Sequence, residues 1–166
     1  MILNDKKIVI AHRGASNVTP ENTLKSFKKA IELGADYIEF DVHRTKDGEI
    51  VIMHDSSTFA TTGHKGSIRR MTLEELKELD CGEGEKIPTL QEVIDLAKGK
   101  IGLQIEIKAK SLADSLVSLL RSENLIESTL ISSFLHLFQR IDTEAVFSVW
   151  RKSLIHHPFF PLSYFV

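Results

Sequence analysis

The sequence has a single cysteine, Cys81, and it has no long run of apolar residues. One cysteine cannot form an internal disulfide or supply a cysteine-built zinc site. No window holds the roughly 18 uncharged apolar residues that a membrane-spanning helix needs. Charged residues precede the first short apolar run, at Asp5, Lys6 and Lys7, so we expect no signal peptide. These absences predict a protein of a reducing, cytoplasmic compartment.

An excess of charge of one sign is also missing. The 166 residues include 21 Lys and Arg against 23 Asp and Glu, which gives a formal net charge of -2. Nucleic-acid-binding domains are usually basic, with a pI above about 9, so we expect no nucleic-acid partner. The composition, 42% apolar and 27% charged, is typical of a soluble globular protein, and the length predicts one domain.

Short β-rich runs alternate with helical patterns along most of the chain. The predicted strands are residues 7–11, 36–42, 49–53, 101–108 and 129–133, with a weaker sixth at 145–149. Helices are predicted to begin at Thr19–Pro20 and at capping boxes formed by Thr72 with Glu75 and by Thr89 with Glu92, with a further helix around residues 112–120. Strands separated by helices imply parallel β-α-β units.

Three carboxylates interrupt the predicted apolar strands. Glu39 and Asp41 lie two residues apart, so strand alternation points both side chains to one face. Two such carboxylates repel each other when buried unless a positive charge lies between them. Glu106 adds a third from another strand, and this oxygen set predicts a Mg²⁺ or Ca²⁺ site. Two other interpretations stay open: a solvent-facing acidic pair, and a salt bridge between Glu106 and Lys108.

Two histidines, His12 and His54, follow predicted strands near the proposed cation site. Paired imidazoles in this setting indicate a general acid and a general base. Arg13 is placed to hold a phosphate with its planar guanidinium. Lys108 offsets residual acidic charge or contacts an anionic substrate. We assign no role to the other histidines singled out: His64, His136, His156 and His157.

Several short motifs occur in a fixed order over residues 7–134. They are His12-Arg13-Gly14, Pro20-Glu21-Asn22-Thr23, Glu39-x-Asp41, His54-Asp55 and Glu106-Ile107-Lys108. With these motifs the sequence resembles the glycerophosphodiester phosphodiesterase family of the phospholipase C-like superfamily. The resemblance implies an α/β fold of the TIM-type (β/α) barrel kind. It also implies hydrolysis of a small-molecule glycerophosphodiester to glycerol 3-phosphate and an alcohol.

The same resemblance implies a role for each motif residue. Glu39, Asp41 and Glu106 would bind a divalent cation, Mg²⁺ or Ca²⁺. His12 and His54 would serve as acid and base, and Arg13 and Lys108 would contact the phosphate. Glu21 and Asn22 would shape the first loop beside it.

The length predicts an incomplete barrel. A TIM barrel typically needs about 250 residues, so this chain has room for about five to six of the eight strands. We predict a partial barrel domain at residues 1–150 and an aromatic-rich tail at residues 151–166. Eight of the 12 aromatic residues fall within 134–166, and no charged residue follows Lys152. The tail is a segment packed on the core, a truncated or frame-shifted end, or a surface for another chain.

Open barrel edges favour self-association. This feature leaves a second hypothesis, that the chain is a truncated, inactive barrel fragment or interaction module. A third hypothesis keeps the barrel and the cation but makes the substrate a lipid headgroup diester, as in related phospholipase D-like proteins.

Overall fold

The computed structural model of the protein describes residues 7–109 and 112–133. Within these ranges the strands are β1 (Ile10–His12), β2 (Tyr37–Arg44), β3 (Ile50–Ile52), β4 (Gly102–Ile107) and β5 (Thr129–Ser132). The helices are α1 (Leu24–Glu32), α2 (Phe59–Thr62), α3 (Leu73–Glu78), α4 (Leu90–Ala97) and α5 (Ala113–Ser122). Short 3₁₀ turns lie at Ile68–Arg70 and Ile126–Ser128. None of the helices in these ranges has the length and apolarity to cross a bilayer.

The strands form one sheet whose main path runs β1-β2-β4-β5 with every neighbouring pair parallel. Helix α1 connects β1 to β2, α4 precedes β4, and α5 connects β4 to β5. The predicted parallel β-α-β units are therefore confirmed. Because all four strands run the same way, their carboxyl ends lie along one edge of the sheet.

The third strand departs from this pattern. β3 pairs antiparallel with β2, with Val42 opposite Ile52 and Arg44 opposite Ile50. The turn around Asp47 and Gly48 reverses the chain, as an Asp-Gly pair favours. The sequence-based strand count included β3 among the barrel strands, but the parallel part of the described sheet has four. The weak sixth strand, residues 145–149, and the aromatic tail lie outside the described residues.

The main hydrophobic core lies between the sheet and its helices. Alternate residues of β2 and β4 point into it, namely Ile38, Phe40, Val42, Leu103, Ile105 and Ile107, and all six are buried. Helix α1 contributes Phe27, whose ring centroid lies 5.5 Å from that of Phe40. The intervening residues of both strands face the opposite side of the sheet, which is the polar side described below.

Helix α1 begins later than the sequence predicts. Its N-cap is Thr23, whose side chain accepts a hydrogen bond from the Ser26 N–H. Thr19 does not cap a helix, because its hydroxyl donates to the Ala15 carbonyl. The segment between them includes Asn22, which has a left-handed φ of 55° that no helix accepts. The predicted start at Thr19–Pro20 is wrong because residues 20–22 form a turn that serves the site.

The capping boxes at Thr72 and Thr89 are confirmed as the starts of α3 and α4. Between β2 and α4 the chain makes an excursion, residues 45–89, that carries β3, α2 and α3. The excursion has its own cluster of buried residues: Val51, Met53, Ile68, Leu76, Cys81 and Ile87. It is therefore packed as a second, smaller core beside the sheet.

An aromatic ring packs beside a glycine at the amino-terminal ends of β2 and β4. Tyr37 of β2 is in register with Gly102 of β4. A Cβ atom built on Gly102 would lie 2.3 Å from Cε1 of the Tyr37 ring. A side chain at position 102 would therefore force the Tyr37 ring to move.

We predict that Gly102→Ala destabilises the fold by about 1–3 kcal/mol, the usual cost of overpacking. Urea unfolding of the full chain measures the loss. In a Tyr37→Ala background the same substitution has room, so a double-mutant cycle should show a smaller cost. Equal costs in both backgrounds would show that the ring contact is not the cause.

Candidate active site

Three carboxylates converge on the polar side of the sheet. Ligand oxygens of Glu39, Asp41 and Glu106 all lie within 4.8 Å of one another. Glu39 is 4% exposed and Asp41 1% exposed. The structure therefore brings together the three carboxylates that the sequence analysis placed in one candidate site.

Strand pairing explains this convergence. The register sets Asp41 beside Glu106 across the β2–β4 pair and His12 beside Glu39 across the β1–β2 pair. Neighbours in register on parallel strands point to the same face. A one-residue slip of β4 would turn Glu106 into the apolar core. The hydrophobic alternation of β4 therefore also fixes the position of the third carboxylate.

Lys108 supplies positive charge to the acidic cluster. Its Nζ lies 2.6 Å from Glu106 Oε1 and 3.1 Å from Asp41 Oδ1. Partial burial lowers the pKa of Lys108, but its hydrogen bonds to Glu106 and Asp41 outweigh that effect and raise the pKa overall. The salt bridge to Glu106 left open by the sequence is thus present, and it is part of the cluster.

Arg13 is the second basic group at the cluster. Its backbone N–H donates to Glu39 Oε2 at 3.1 Å, and its Nε lies 3.8 Å from Asp41 Oδ2. Nη1 of the guanidinium donates to both carboxylate oxygens of Glu21, at 3.0 and 3.1 Å. The Nε–H is buried and has no hydrogen-bond acceptor in the described part of the chain. Glu21 therefore orients the guanidinium through Nη1, while the buried Nε–H makes no hydrogen bond within the described residues.

The backbone at Arg13 is held in an unusual conformation. Arg13 has a left-handed φ of 57°, and its carbonyl accepts bonds from the Asn22 N–H at 3.0 Å and Ser26 Oγ at 3.1 Å. A Cβ on Gly14 would lie 2.3 Å from Ser26 Oγ. A non-glycine residue in this conformation is strained, so the surrounding contacts must hold it there. Such residues are common at functional sites.

The oxygen atoms gathered here are of the kind that bind a hard divalent cation. Besides the carboxylate oxygens, Asn22 places its amide against the cluster, with Nδ2 donating to Asp41 Oδ2 at 3.2 Å. Asn22 Oδ1 is buried and has no hydrogen-bond partner among the described residues. Carboxylate and amide oxygens are the ligands that Mg²⁺ and Ca²⁺ take in proteins. The residues at this edge of the sheet therefore fit such an ion.

The two predicted acid–base histidines come from different segments, His12 from the end of β1 and His54 from the excursion. His12 Nε2 is 3.8 Å from Glu39 Oε2, and the two imidazoles are close enough for the charge of His54 to affect the pKa of His12. His54 Nδ1 lies 2.8 Å from Asp55 Oδ1. Both rings are partly exposed, with 40% and 38% of their side-chain surfaces open, so both remain accessible to a substrate.

Burial shifts the pKa of two groups at the site, Glu39 and His12. It raises the pKa of Glu39 to about 7, and the charges of Asp41 and Glu106 add to that rise against the opposing hydrogen bond from the Arg13 N–H. Burial also lowers the pKa of His12, and the Arg13 charge lowers it further. Glu39 is therefore a carboxylate whose ionisation is unfavourable until more positive charge is nearby.

Sequence reasoning missed two residues at this edge. His43 is buried and continues the series of Glu39 and Asp41 along the same face of β2. Asp55 forms the hydrogen bond that orients the His54 ring. The alternation of β2 and the His54-Asp55 dipeptide were the available signals, since residues two apart on a strand share a face.

The parallel sheet with helices on its outer side, and a polar site along the carboxyl ends of the strands, define a protein of the TIM-barrel class. A structure of glycerophosphodiester phosphodiesterase from Agrobacterium tumefaciens matches with a TM-score of 0.77 and 28% identity, over 88% of this chain and 64% of that one. An Oleispira antarctica phosphodiesterase, solved in complex with the product sn-glycerol-3-phosphate, matches with a TM-score of 0.75 and 34% identity, over 90% and 71% of the two chains. The expected TIM-type fold is confirmed.

A sequence model of the glycerophosphoryl diester phosphodiesterase family matches residues 12–151. The glycerophosphodiester phosphodiesterase of Caldanaerobacter subterraneus subsp. tengcongensis is 45% identical over 144 residues, which are 79% of this chain and 59% of the relative. The chain belongs to the glycerophosphoryl diester phosphodiesterase family. It spans between about two-fifths and three-fifths of the length of the first three curated relatives it matches.

We predict that Glu39→Gln stabilises the cation-free protein more at pH 8 than at pH 5. Burial raises the pKa of Glu39 from 4.5 to about 7. Between these two pH values the folded protein keeps the proton and the unfolded chain loses it, so the free energy of unfolding falls as pH rises. The difference should reach about 3 kcal/mol at most, because one pKa unit corresponds to about 1.4 kcal/mol. Unfolding in EDTA at several pH values measures it.

The exposed Glu32 of α1 provides the matched control. Glu32→Gln should change stability by a similar small amount at every pH in the same range. A Glu39→Gln protein whose stability parallels that of the wild type across the range would contradict the assigned burial of the carboxyl group.

Proposed function

We propose that this chain hydrolyses glycerophosphodiesters to glycerol 3-phosphate and an alcohol. The observation that carries the proposal is the convergence of three carboxylates, two of them buried, with two basic side chains, beside two accessible imidazoles. This combination offers cation ligands, phosphate contacts and proton-transfer groups within one small region. The product named in the Oleispira antarctica complex is the product expected of such a reaction.

We propose that Glu39, Asp41 and Glu106 hold a divalent cation, Mg²⁺ or Ca²⁺. When bound, such an ion polarises phosphoryl oxygens and neutralises the charge that develops on them. The buried oxygen donors favour either ion over a softer metal. The choice between the two ions depends on ligand number and site size, and a titration with each ion compares them.

Arg13 and Lys108 are the proposed phosphate contacts. Both side chains are about one-fifth exposed, so each reaches from the acidic cluster toward the open face. The planar guanidinium of Arg13 is the proposed donor to the phosphate oxygens. Glu21 holds the guanidinium plane, and Asn22 holds Asp41. In this way Glu21 and Asn22 are proposed to support the phosphate contact from the first loop.

His12 and His54 are the proposed acid and base. One imidazole takes the proton of the attacking oxygen, which belongs to water or to the substrate's own glycerol hydroxyl. If the hydroxyl attacks, the first product is a cyclic phosphodiester, which water then opens to glycerol 3-phosphate. As the new P–O bond forms and the bond to the alcohol breaks, the other imidazole gives its proton to the leaving oxygen. Asp55 supports this role by accepting the Nδ1–H of His54, which leaves Nε2 of that ring for proton transfer.

The remaining proposals concern the chain as a whole. We propose a catalytic domain at residues 1–150, and the end of the family match at residue 151 supports that boundary. Self-association through open barrel edges and action in the cytoplasm complete the proposal. Cys81 is a buried free thiol, which is compatible with a reducing compartment.

We predict that the purified full chain, given Mg²⁺ or Ca²⁺, releases glycerol 3-phosphate from glycerophosphocholine or glycerophosphoethanolamine. A coupled glycerol 3-phosphate dehydrogenase assay measures the product. EDTA should abolish turnover, and Glu39→Ala should lower kcat/KM by about a hundredfold or more, since it removes a cation ligand.

Glu32→Ala, which removes an exposed carboxylate far along α1, should leave the rate unchanged. A folded protein that turns over neither substrate with either cation would refute the activity and favour the inactive-fragment hypothesis. Turnover confined to lysophospholipids would instead favour the lipid-headgroup hypothesis.

A further inference from the structure

His43 has no part in the reaction described above, yet it is built into the same edge of the sheet. It is the third polar residue of the inward face of β2, after Glu39 and Asp41, and only 7% of it is exposed. Its Nε2 lies 3.1 Å from the carbonyl oxygen of His54. A buried histidine of β2 therefore contacts the backbone of a proposed catalytic residue 11 positions later.

This contact is important because His54 lies two residues beyond the end of β3. That strand ends at Ile52, so the strand ladder gives the His54 carbonyl no partner. The preceding residue is held by its own bond, from the Met53 N–H to the Asp41 carbonyl at 3.1 Å. Two residues of β2 thus hold the chain on both sides of the His54 Cα, one through a backbone bond and one through a side chain.

The direction of the hydrogen bond follows from its chemistry. A carbonyl oxygen only accepts, so Nε2 of His43 carries the hydrogen and donates it. A neutral ring with its hydrogen on Nε2 is sufficient for this bond. A side-chain amide of suitable length can donate in the same way, whereas an aromatic ring without nitrogen fills the volume and donates nothing.

We propose that His43 is a positioning residue that fixes the His54 backbone, and through it the His54 imidazole, against the carboxylate cluster. The inference rests on the proposed function, because it assigns His54 to proton transfer. It adds that the cation ligands and the imidazole are held in register by one strand, since Asp41 and His43 both belong to β2.

Three variants separate positioning from simple core filling. His43→Phe keeps an aromatic ring but removes the donor, and His43→Gln keeps an N–H donor with a smaller side chain. His64→Phe, at an exposed histidine of the excursion, is the control for loss of an imidazole. Thermal unfolding of each variant establishes that it is folded before its kinetics are compared.

We predict that His43→Phe lowers kcat by about tenfold to a hundredfold with little change in KM, the range expected when a catalytic group is displaced slightly. His43→Gln should recover most of kcat even if it is the less stable variant. His64→Phe should match the wild type. If His43→Phe keeps the wild-type kcat, or if Gln and Phe lose activity equally, the proposal is overturned.

Nuclear magnetic resonance provides a readout that does not require turnover. The long-range ¹H–¹⁵N spectrum of the full chain should show His43 with its hydrogen on Nε2. In His43→Phe the His54 ring and the Asp55 amide should shift or broaden, and in His43→Gln they should return toward their wild-type positions. A His43 ring with its hydrogen on Nδ1, or an unaffected His54 ring in His43→Phe, overturns the proposal.

The two kinds of failure are distinguishable. A wild-type chain without turnover refutes the proposed function, and the spectra then decide on the contact between His43 and His54 by themselves. A wild-type chain with turnover that does not respond to His43→Phe refutes the positioning role and leaves the proposed function standing.

Discussion

Mutual repulsion among three carboxylates is the constraint around which this site is organised. Their oxygens lie within 4.8 Å of one another and two of the three residues are buried, so the arrangement is unfavourable without compensating charge. The structure supplies that compensation from separate directions, with Lys108 directly after β4 and Arg13 in the first loop. Even so, burial leaves Glu39 with a strongly raised pKa, which is the property of a site that favours a cation.

The pleat of β2 and β4 places the charged residues on one face of the sheet and the core residues on the other. On β2 and β4 every second side chain enters an apolar core, and the alternate ones build the cluster. The same hydrophobic burial that fixes strand register thereby sets the distance between Asp41 and Glu106. Site geometry in this protein is a by-product of core packing, which explains how carboxylates that repel each other stay together.

Sequence patterns predicted the features that depend on residues close together in the chain. The carboxylate face follows from alternation at Glu39 and Asp41, and the starts of α3 and α4 follow from capping boxes whose partners are three residues apart. The start of α1 was mispredicted because Asn22 adopts a left-handed turn to reach Asp41, a contact 19 residues away. The role of His43 was missed for the same reason, since its partner His54 is brought close only by the reversal at β3.

The excursion at residues 45–89 separates two kinds of function in the chain. The carboxylates belong to the parallel strands β2 and β4, and Lys108 directly follows β4. His54 and Asp55 belong to a segment with its own small core. The excursion is anchored to the sheet by the antiparallel pairing of β3 with β2 and by the bond from the Met53 N–H to the Asp41 carbonyl. A substitution that shifts β3 against β2 is therefore expected to move the His54 imidazole while Glu39, Asp41 and Glu106 keep their mutual positions.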